Sequence, residues 1–532
     1  MLAAKPKIAV SEAALQNERA TQLMRLGRYD EALPILTTVV RVDPTLGIAH
    51  SNLATCYFAL RKLPEARAAY RAATAADPQF IYPRVQALTL ARELCEWQEW
   101  EREVEELCAL APSPGNTAPQ LDLLFLPLQP EALRAHAECH ASPPWVSLSA
   151  PRKEASRRTA IGYVSDEIRN HVVGTMLVEV LELHDRSGFD VHLFDWGKPA
   201  NSIVERRVRR AGVQVHDLSR LDNRHAAAFI ASLGIDVLVD LKGYTTGHRN
   251  EIFRYRPAPV QVSWLGYPGT LGTRYIDYLV ADPFVIPRGE EHDYTERVVR
   301  LPSVFLPADR QKPVADSGNR AVFGLREDAV VLCYLGRSAK LAPDVFDDWL
   351  AILAAVPGSV LWMRADNEIA RANLLKQAAQ RGLAPGRIIF FREAAHLRGS
   401  DLIARYRFAD LALDTYPYGS HATASESLWA GCPLLTRVGP TYASRVAGSL
   451  LNALGLGSLI TNTREEFRSR AIELASDPGR LTLLREQLAQ GRANSDVFDT
   501  PRFTRALERG YQAAIRRYDE GQLPADIDVA AD

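Results

Sequence analysis

The side chains best placed to do chemistry fall just past the ends of short apolar runs. Lys340 closes LCYLGRSAK. An ammonium at the carboxyl edge of a strand, facing a cleft, neutralises a departing diphosphate; a solvated surface lysine fits the same position. Residues 412–431 read ALDTYPYGSHATASESLWAG, with a strand ending at Asp414, a turn through Pro417, Tyr418 and Gly419, and small residues opening a helix. Small side chains leave backbone N–H groups free to meet an anion, and the helix dipole favours negative charge there. Thr423 adds a hydroxyl, and Glu426, one turn on, is an acceptor for a sugar hydroxyl; a plain capped helix satisfies the same pattern. His171 lies past a third run, in YVSDEIRNH, beside Asp166 and Glu167. That is a position for a general base or a sugar-binding group, or for an incidental loop histidine.

Other chemistries lack their signatures. His136, Cys139 and His140 crowd into PEALRAHAECH, but a metal site takes about four ligands and no partners stand near. No G-x-G-x-x-G follows the first strand of either half and no G-x-x-x-x-G-K-[ST] occurs, which excludes a typical dehydrogenase and a P-loop ATPase. No acidic D-x-D cluster stands out to hold a divalent cation, so neither metal nor cofactor is expected.

The elements that must position these residues alternate. From Thr159 the runs TAIGYVS, FDVHLFDW, IDVLVDL and PVQVSWLGY are separated by helix-length segments, and AVVLCYLG, GSVLWMRA, RIIFF, DLALD and PLLT follow a Pro/Asp-rich break at 307–320. Such runs predict βαβ units and parallel sheets, with ligands at the carboxyl ends of the strands. The fold class is therefore α/β, two Rossmann-like domains at 157–310 and 321–490, with a C-terminal helix and a frayed tail at 491–532. Upstream, LMRLGRYDEALPILTTVVRVDP and YFALRKLPEARAAYRAATAADP repeat Leu26, Ala32 and Pro44 as Leu60, Ala66 and Pro78, each 34 residues later. That is the tetratricopeptide period, two helices per repeat with Pro ending the second. Helical repeats are expected over 10–111 and a Pro-rich linker with a connecting helix over 112–156.

Composition narrows the class. The 532 residues are 47% hydrophobic and 24% charged, with a net charge of −1, so general nucleic-acid binding is not expected. No apolar run reaches the roughly 18–20 residues of a membrane helix, the first residues are too polar for a secretory signal, and six scattered cysteines suit a reducing cytoplasm.

Taken together, IGYVSDEIRNH, DLKGYTTGHRNEIFRYRPAPVQVSWLGYPGT, LDTYPYGSHATASESLWAGCPLLT and ASRVAGSLL behind tetratricopeptide repeats resemble the protein O-GlcNAc transferase/SPINDLY family, over about residues 134–515 and the repeats. The resemblance implies an inverting, metal-independent transferase of the two-Rossmann (GT-B) type. It would move GlcNAc from UDP-GlcNAc, its nucleotide-sugar substrate, to Ser/Thr hydroxyls of proteins that bind through the repeat groove and the cleft. It implies Lys340 on the diphosphate, His421, Ala422 and Thr423 in an H-T-T-like stretch at the β-phosphate, and Glu426 on the ribose. Arg337 and Arg405 join the donor site; Arg249 and the turn of Leu265, Gly266 and Pro268 line the sugar and acceptor side. His171 matches the histidine of a V-S-x-D-x-x-N-H segment, in which Glu167 stands where Asp is usual, and His140 matches a histidine that reaches the active site. The proton acceptor stays open among His171, Glu167, His140 and a water relay.

Departures from the family pattern bear on the donor. Ala422 replaces Thr, Glu426 replaces Asp, Gly336, Arg337 and Ala339 replace N-N-x-Y or Q-x-Y, and Leu402 stands where His is frequent near the nucleobase. Ala339 and Glu426 are similar to the SPINDLY branch, which implies GDP-fucose as an alternative. A non-catalytic repeat scaffold and an Asn-directed glucosyltransferase are the other readings.

Overall fold

The computed structural model describes residues 11–110, 118–145, 147–148, 158–312, 314, 318–391 and 403–531. It opens with three helical hairpins: Glu12–Arg25 and Tyr29–Val42, Gly47–Ala59 and Leu63–Ala76, then Ile81–Glu93 and Trp100–Ala109. Ala32 and Ala66 are fully buried, because only a small side chain lets neighbouring helices approach at the repeated position. The second helices end at Val42 and Ala76, two residues before Pro44 and Pro78, since proline cannot donate the next helical hydrogen bond. The third hairpin, outside the 34-residue pattern, buttresses the repeats. Arg67, buried in the second hairpin, pairs with Glu96 at 3.0 Å and Glu103 at 3.4 Å.

The first sheet holds β1 (Thr159–Val164), β2 (Phe189–Asp195), β3 (Gln214–Asp217), β4 (Val237–Asp240), β5 (Val260–Ser263), β6 (Tyr278–Ala281) and β7 (Arg297–Arg300). The second holds β8 (Val330–Tyr334), β9 (Ser359–Met363), β10 (Ile388–Phe390), β11 (Leu411–Leu413), β12 (Leu434–Arg437) and β13 (Ile460–Thr461). Spatial order is β3-β2-β1-β4-β5-β6-β7 in one and β10-β9-β8-β11-β12-β13 in the other, and the pairings are parallel. Both are the doubly wound order in which the chain reverses beside its first strand. The register Ile161↔Val237 sets β1 against β4, and Leu411↔Leu332 sets β11 against β8. In doubly wound sheets these points mark the crevice at the carboxyl ends of the strands where ligands bind. β4, β5 and β6 are buried along their whole length, as in a sheet covered on both faces, and the polar Asp240, Gln261 and Ser263 are buried with them.

The tail departs from the frayed end expected of it. Ile527–Asp528 forms β14, parallel to β7 at the edge of the first sheet. Asp526 accepts from Val298 N–H at 2.8 Å, Arg300 pairs with Asp528 at 2.7 Å, and Val529 is buried. Polar composition suggested fraying, but an edge strand needs only a partner with free backbone groups and one anchoring ion pair. The preceding helix, Thr500–Asp519, also returns to the first half: Phe503 stacks on Trp264, and Glu508 accepts from His184 at 2.9 Å. Among the described residues no helix is long and apolar enough to cross a membrane.

Candidate active site

The C-terminal crevice is built around Asp414, the residue after β11. Its buried carboxylate accepts from Thr415 N–H at 2.8 Å, Ser420 N–H at 2.7 Å and the Thr436 hydroxyl at 2.7 Å. These bonds close the turn 414–420 and aim the helix Ala422–Trp429 with its N-terminus at the crevice. Ala422 and Thr423 stand in its first turn, half-buried, where N–H groups have no intrahelical acceptor. His421 precedes them, with Nε2 2.9 Å from the Ala443 carbonyl. A carbonyl only accepts, so Nε2 carries the proton and Nδ1 keeps a lone pair. Burial, reinforced by Lys340, pushes the imidazole down to about 3, so His421 offers neutral polarity and no positive charge.

Charge comes from Lys340. The residue ends a single 3₁₀ turn, Ser338–Lys340, after β8. Its Nζ donates to the Gly419 carbonyl at 3.1 Å and lies 4.4 Å from the centre of the Tyr418 ring. Burial pushes this amine down to about 8, with Asp414 opposing the shift and Arg337 adding to it. Arg337 itself is exposed, its Nε 3.6 Å from Asp366. Arg405 is buried with its guanidinium 4.4 Å above Phe391 and 5.8 Å from Phe323. Glu426 pairs at 3.0 Å with Lys312, from the segment joining the two halves. Leu402 lies outside the described residues.

The N-terminal crevice centres on a lysine. Lys242, two residues past β4 and almost wholly buried, reaches Asp166 at 2.9 Å and Glu167 at 2.6 Å. The second oxygen of Glu167 lies 3.4 Å from His171 Nδ1, and the same nitrogen is 3.4 Å from Val173 N–H. The two contacts require opposite forms of the ring: a bare Nδ1 caps the helix Val172–Leu183, whereas a protonated one donates to Glu167. Arg249 directs three donors to the Leu218 and Leu221 carbonyls and to Asn223, at 3.1, 2.7 and 2.7 Å, bracing the loop after β3. The turn after β5 presses on the loop after β4. Leu265 takes φ +76°, and a Cβ on Gly266 would meet the Leu241 carbonyl at 2.0 Å. Pro268 completes that turn. His140 ends the helix Pro130–His140 with its ring edge-on to Tyr244 at 5.0 Å, and burial lowers its basicity. That helix approaches because Gly272, at φ +66°, has no Cβ; one would lie 2.2 Å from Ala137 backbone.

The structure thus gathers Lys340, Arg337, His421, Ala422 and Thr423 at one crevice, and Glu167, His171, His140 and the Leu265–Pro268 turn at the other. Glu426 and Arg405 flank the first, and Arg249 acts on a loop beside the second. Sequence reasoning passed over Lys242 and Tyr418. Lys242 had a signal, for it follows β4 as Lys340 follows β8, next to a reversal of strand order.

Comparison with known proteins gives this geometry its context. A model of glycosyl transferase family 41 matches residues 139–317 and 310–507, and a tetratricopeptide repeat model matches 23–91. The Arabidopsis thaliana protein named probable UDP-N-acetylglucosamine–peptide N-acetylglucosaminyltransferase SEC is 35% identical over 389 residues, 72% of this chain and 40% of its own length. The rice SPINDLY protein is 33% identical over 392 residues, 72% of this chain and 41% of its own. The chain therefore spans about two fifths of these relatives. Among solved structures, a Lys→Met variant of the Thermobaculum terrenum O-GlcNAc transferase superposes with a TM-score of 0.74 at 28% identity, over 96% of this chain and 99% of that one. With the family model covering both sheets and both crevices, this chain belongs to glycosyl transferase family 41.

Proposed function

We propose that the protein transfers GlcNAc from UDP-GlcNAc to Ser/Thr hydroxyls of other proteins, with inversion and without a metal. The observation that carries this reading is the amine of the half-buried Lys340 beside the N-terminus of the helix Ala422–Trp429. Together they form a positive, donor-rich site for a nucleoside diphosphate. In a direct displacement the acceptor oxygen bonds to the anomeric carbon while the bond from that carbon to the β-phosphate oxygen breaks. The new negative charge falls on the diphosphate, where Lys340 and the helix N–H groups stabilise it; preorganised donors of this kind contribute on the order of 3–4 kcal/mol each. The acceptor's proton leaves on the side of the N-terminal crevice, which holds Glu167, His171 and His140. The names of the plant relatives and of the Thermobaculum neighbour support the donor and the protein acceptor.

GDP-fucose is the second reading, favoured by Glu426 and Ala339 in the donor crevice. Thermal shift and released-nucleotide assays with UDP-GlcNAc, UDP-glucose and GDP-fucose separate the possibilities. Stabilisation and turnover with UDP-GlcNAc are expected. A response to GDP-fucose alone transfers the reading to the fucosyl donor, and silence with all three leaves a non-catalytic scaffold. Mass spectrometry of a modified acceptor then distinguishes Ser/Thr from Asn.

A further inference from the structure

The helical region reaches the donor crevice through a column of stacked side chains. Phe125, in the connector after the short helix Gln120–Leu123, stacks on Tyr418 with ring centres 4.4 Å apart and planes 12° from parallel. Tyr418 stacks in turn on His421, at 4.6 Å and 23°. The Lys340 ammonium lies 4.4 Å from the centre of that same Tyr418 ring. At the outer end Arg92, from the helix Ile81–Glu93, sits 4.3 Å from the Phe125 ring centre. Arg92 is 4% exposed, while Phe125, Tyr418, His421 and Lys340 are half-buried.

The same helix end also braces the turn that carries Lys340. Asn367 and Asn373 of the second half donate to the Glu93 and Leu94 carbonyls, both at 2.9 Å. The Cys95 thiol lies 3.9 Å from the Ser338 carbonyl. Asp366 accepts from Ala339 N–H at 3.1 Å, and its own N–H donates to Ser338 Oγ at 2.9 Å. The turn 414–420 has its backbone fixed by Asp414, but the Tyr418 ring is set by what lies against it. Lys340 and His421 both touch that ring, so a tilt moves both groups at once. Donor sites tolerate displacements of roughly half an ångström before rate is lost.

We infer that Phe125 is a positioning residue for the donor site: by fixing the Tyr418 ring it sets where Lys340 and His421 stand, so the helical region completes the diphosphate site. This rests on the donor reading of that crevice. The full-length protein tests it with Phe125→Ala and Phe125→Tyr, using UDP as the binding probe. Phe125→Ala is expected to weaken UDP binding about tenfold and to lower kcat at saturating donor, with a melting temperature within a few degrees of the parent. Phe125→Tyr, which keeps a stacking ring, is expected to restore both to within about twofold.

A second readout needs no donor. Acylation of Lys340 followed across pH by peptide mass spectrometry should show a midpoint near 8 in the parent. In Phe125→Ala that midpoint should rise toward the ordinary lysine value of 10.5 as water reaches the amine. A parent that binds no UDP overturns the donor reading, while the Lys340 midpoint still reports on Phe125. Phe125→Ala matching the parent in UDP affinity, kcat and midpoint overturns the inference. Losses that track only a lowered melting temperature and that Phe125→Tyr fails to restore overturn it equally.

Discussion

Lys340 holds a charge where its surroundings disfavour one. Its folded value of about 8 lies below the 10.5 of an ordinary lysine, so between those pH values the unfolded chain binds more protons and stability rises with pH. Below about pH 8 the penalty is present in full, on the order of 3 kcal/mol. Lys340→Met should therefore lower kcat by about 10²–10³-fold while raising the melting temperature of the free protein at pH 7. Released-nucleotide kinetics and calorimetry measure the two effects, and a melting temperature that falls contradicts the account of the buried charge. The same sign governs ligand binding. UDP affinity should fall as pH rises through about 8, with proton uptake measured in buffers of different ionisation enthalpy. At this scale Lys340, His421, Glu167 and His171 were legible because each follows an apolar run. Lys242 carried the same signal and was passed over, whereas Tyr418 and Phe125 were not legible, since their pairing is a contact between the connector and the second half.

Elements carry His140 and the helix Ala422–Trp429, and close backbone approaches set their angles. Gly272→Ala forces a Cβ to within 2.2 Å of Ala137 backbone at φ +66°. The helix Pro130–His140 must shift, so a loss of about 1–3 kcal/mol is expected together with reduced turnover, read by urea melts and kinetics. The tail gives a second element-scale test. A chain ending at Leu523 loses β14, the Arg300–Asp528 pair and the burial of Val529, and about 2–4 kcal/mol of stability should go with them. Hydrogen exchange should show β7 exposed at the same time. The runs that became β1, β2, β4, β5 and β8 to β12 were readable because burial on both faces makes them rich in apolar residues. β3 reads QVHD and is largely exposed, and β7 reads RVVR. β13 and β14 are two residues each. Such short strands are defined by their neighbours in the sheet, which a linear pattern does not contain.

Across the whole molecule the two halves meet through specific polar clasps. Tyr442 donates to the Val280 carbonyl at 3.2 Å, Ser449 to Asp282 at 2.7 Å, and Arg445 to Glu290 at 2.5 Å. Lys312 adds its pair with Glu426 at the donor helix itself. Lys312→Glu places like charges there and should raise the donor KM several-fold with little change in melting temperature. Unchanged KM would show that the linker does not influence the donor side. The chain also passes between the halves twice, once near Ala308 and again just before Thr500, and the Thr500 hydroxyl donates to the Ala308 carbonyl at 2.5 Å. A body tethered once can swivel in any direction, but two crossings bonded side by side act as a single hinge pin. Any rotation of one half against the other is thereby restricted to a single axis along that edge.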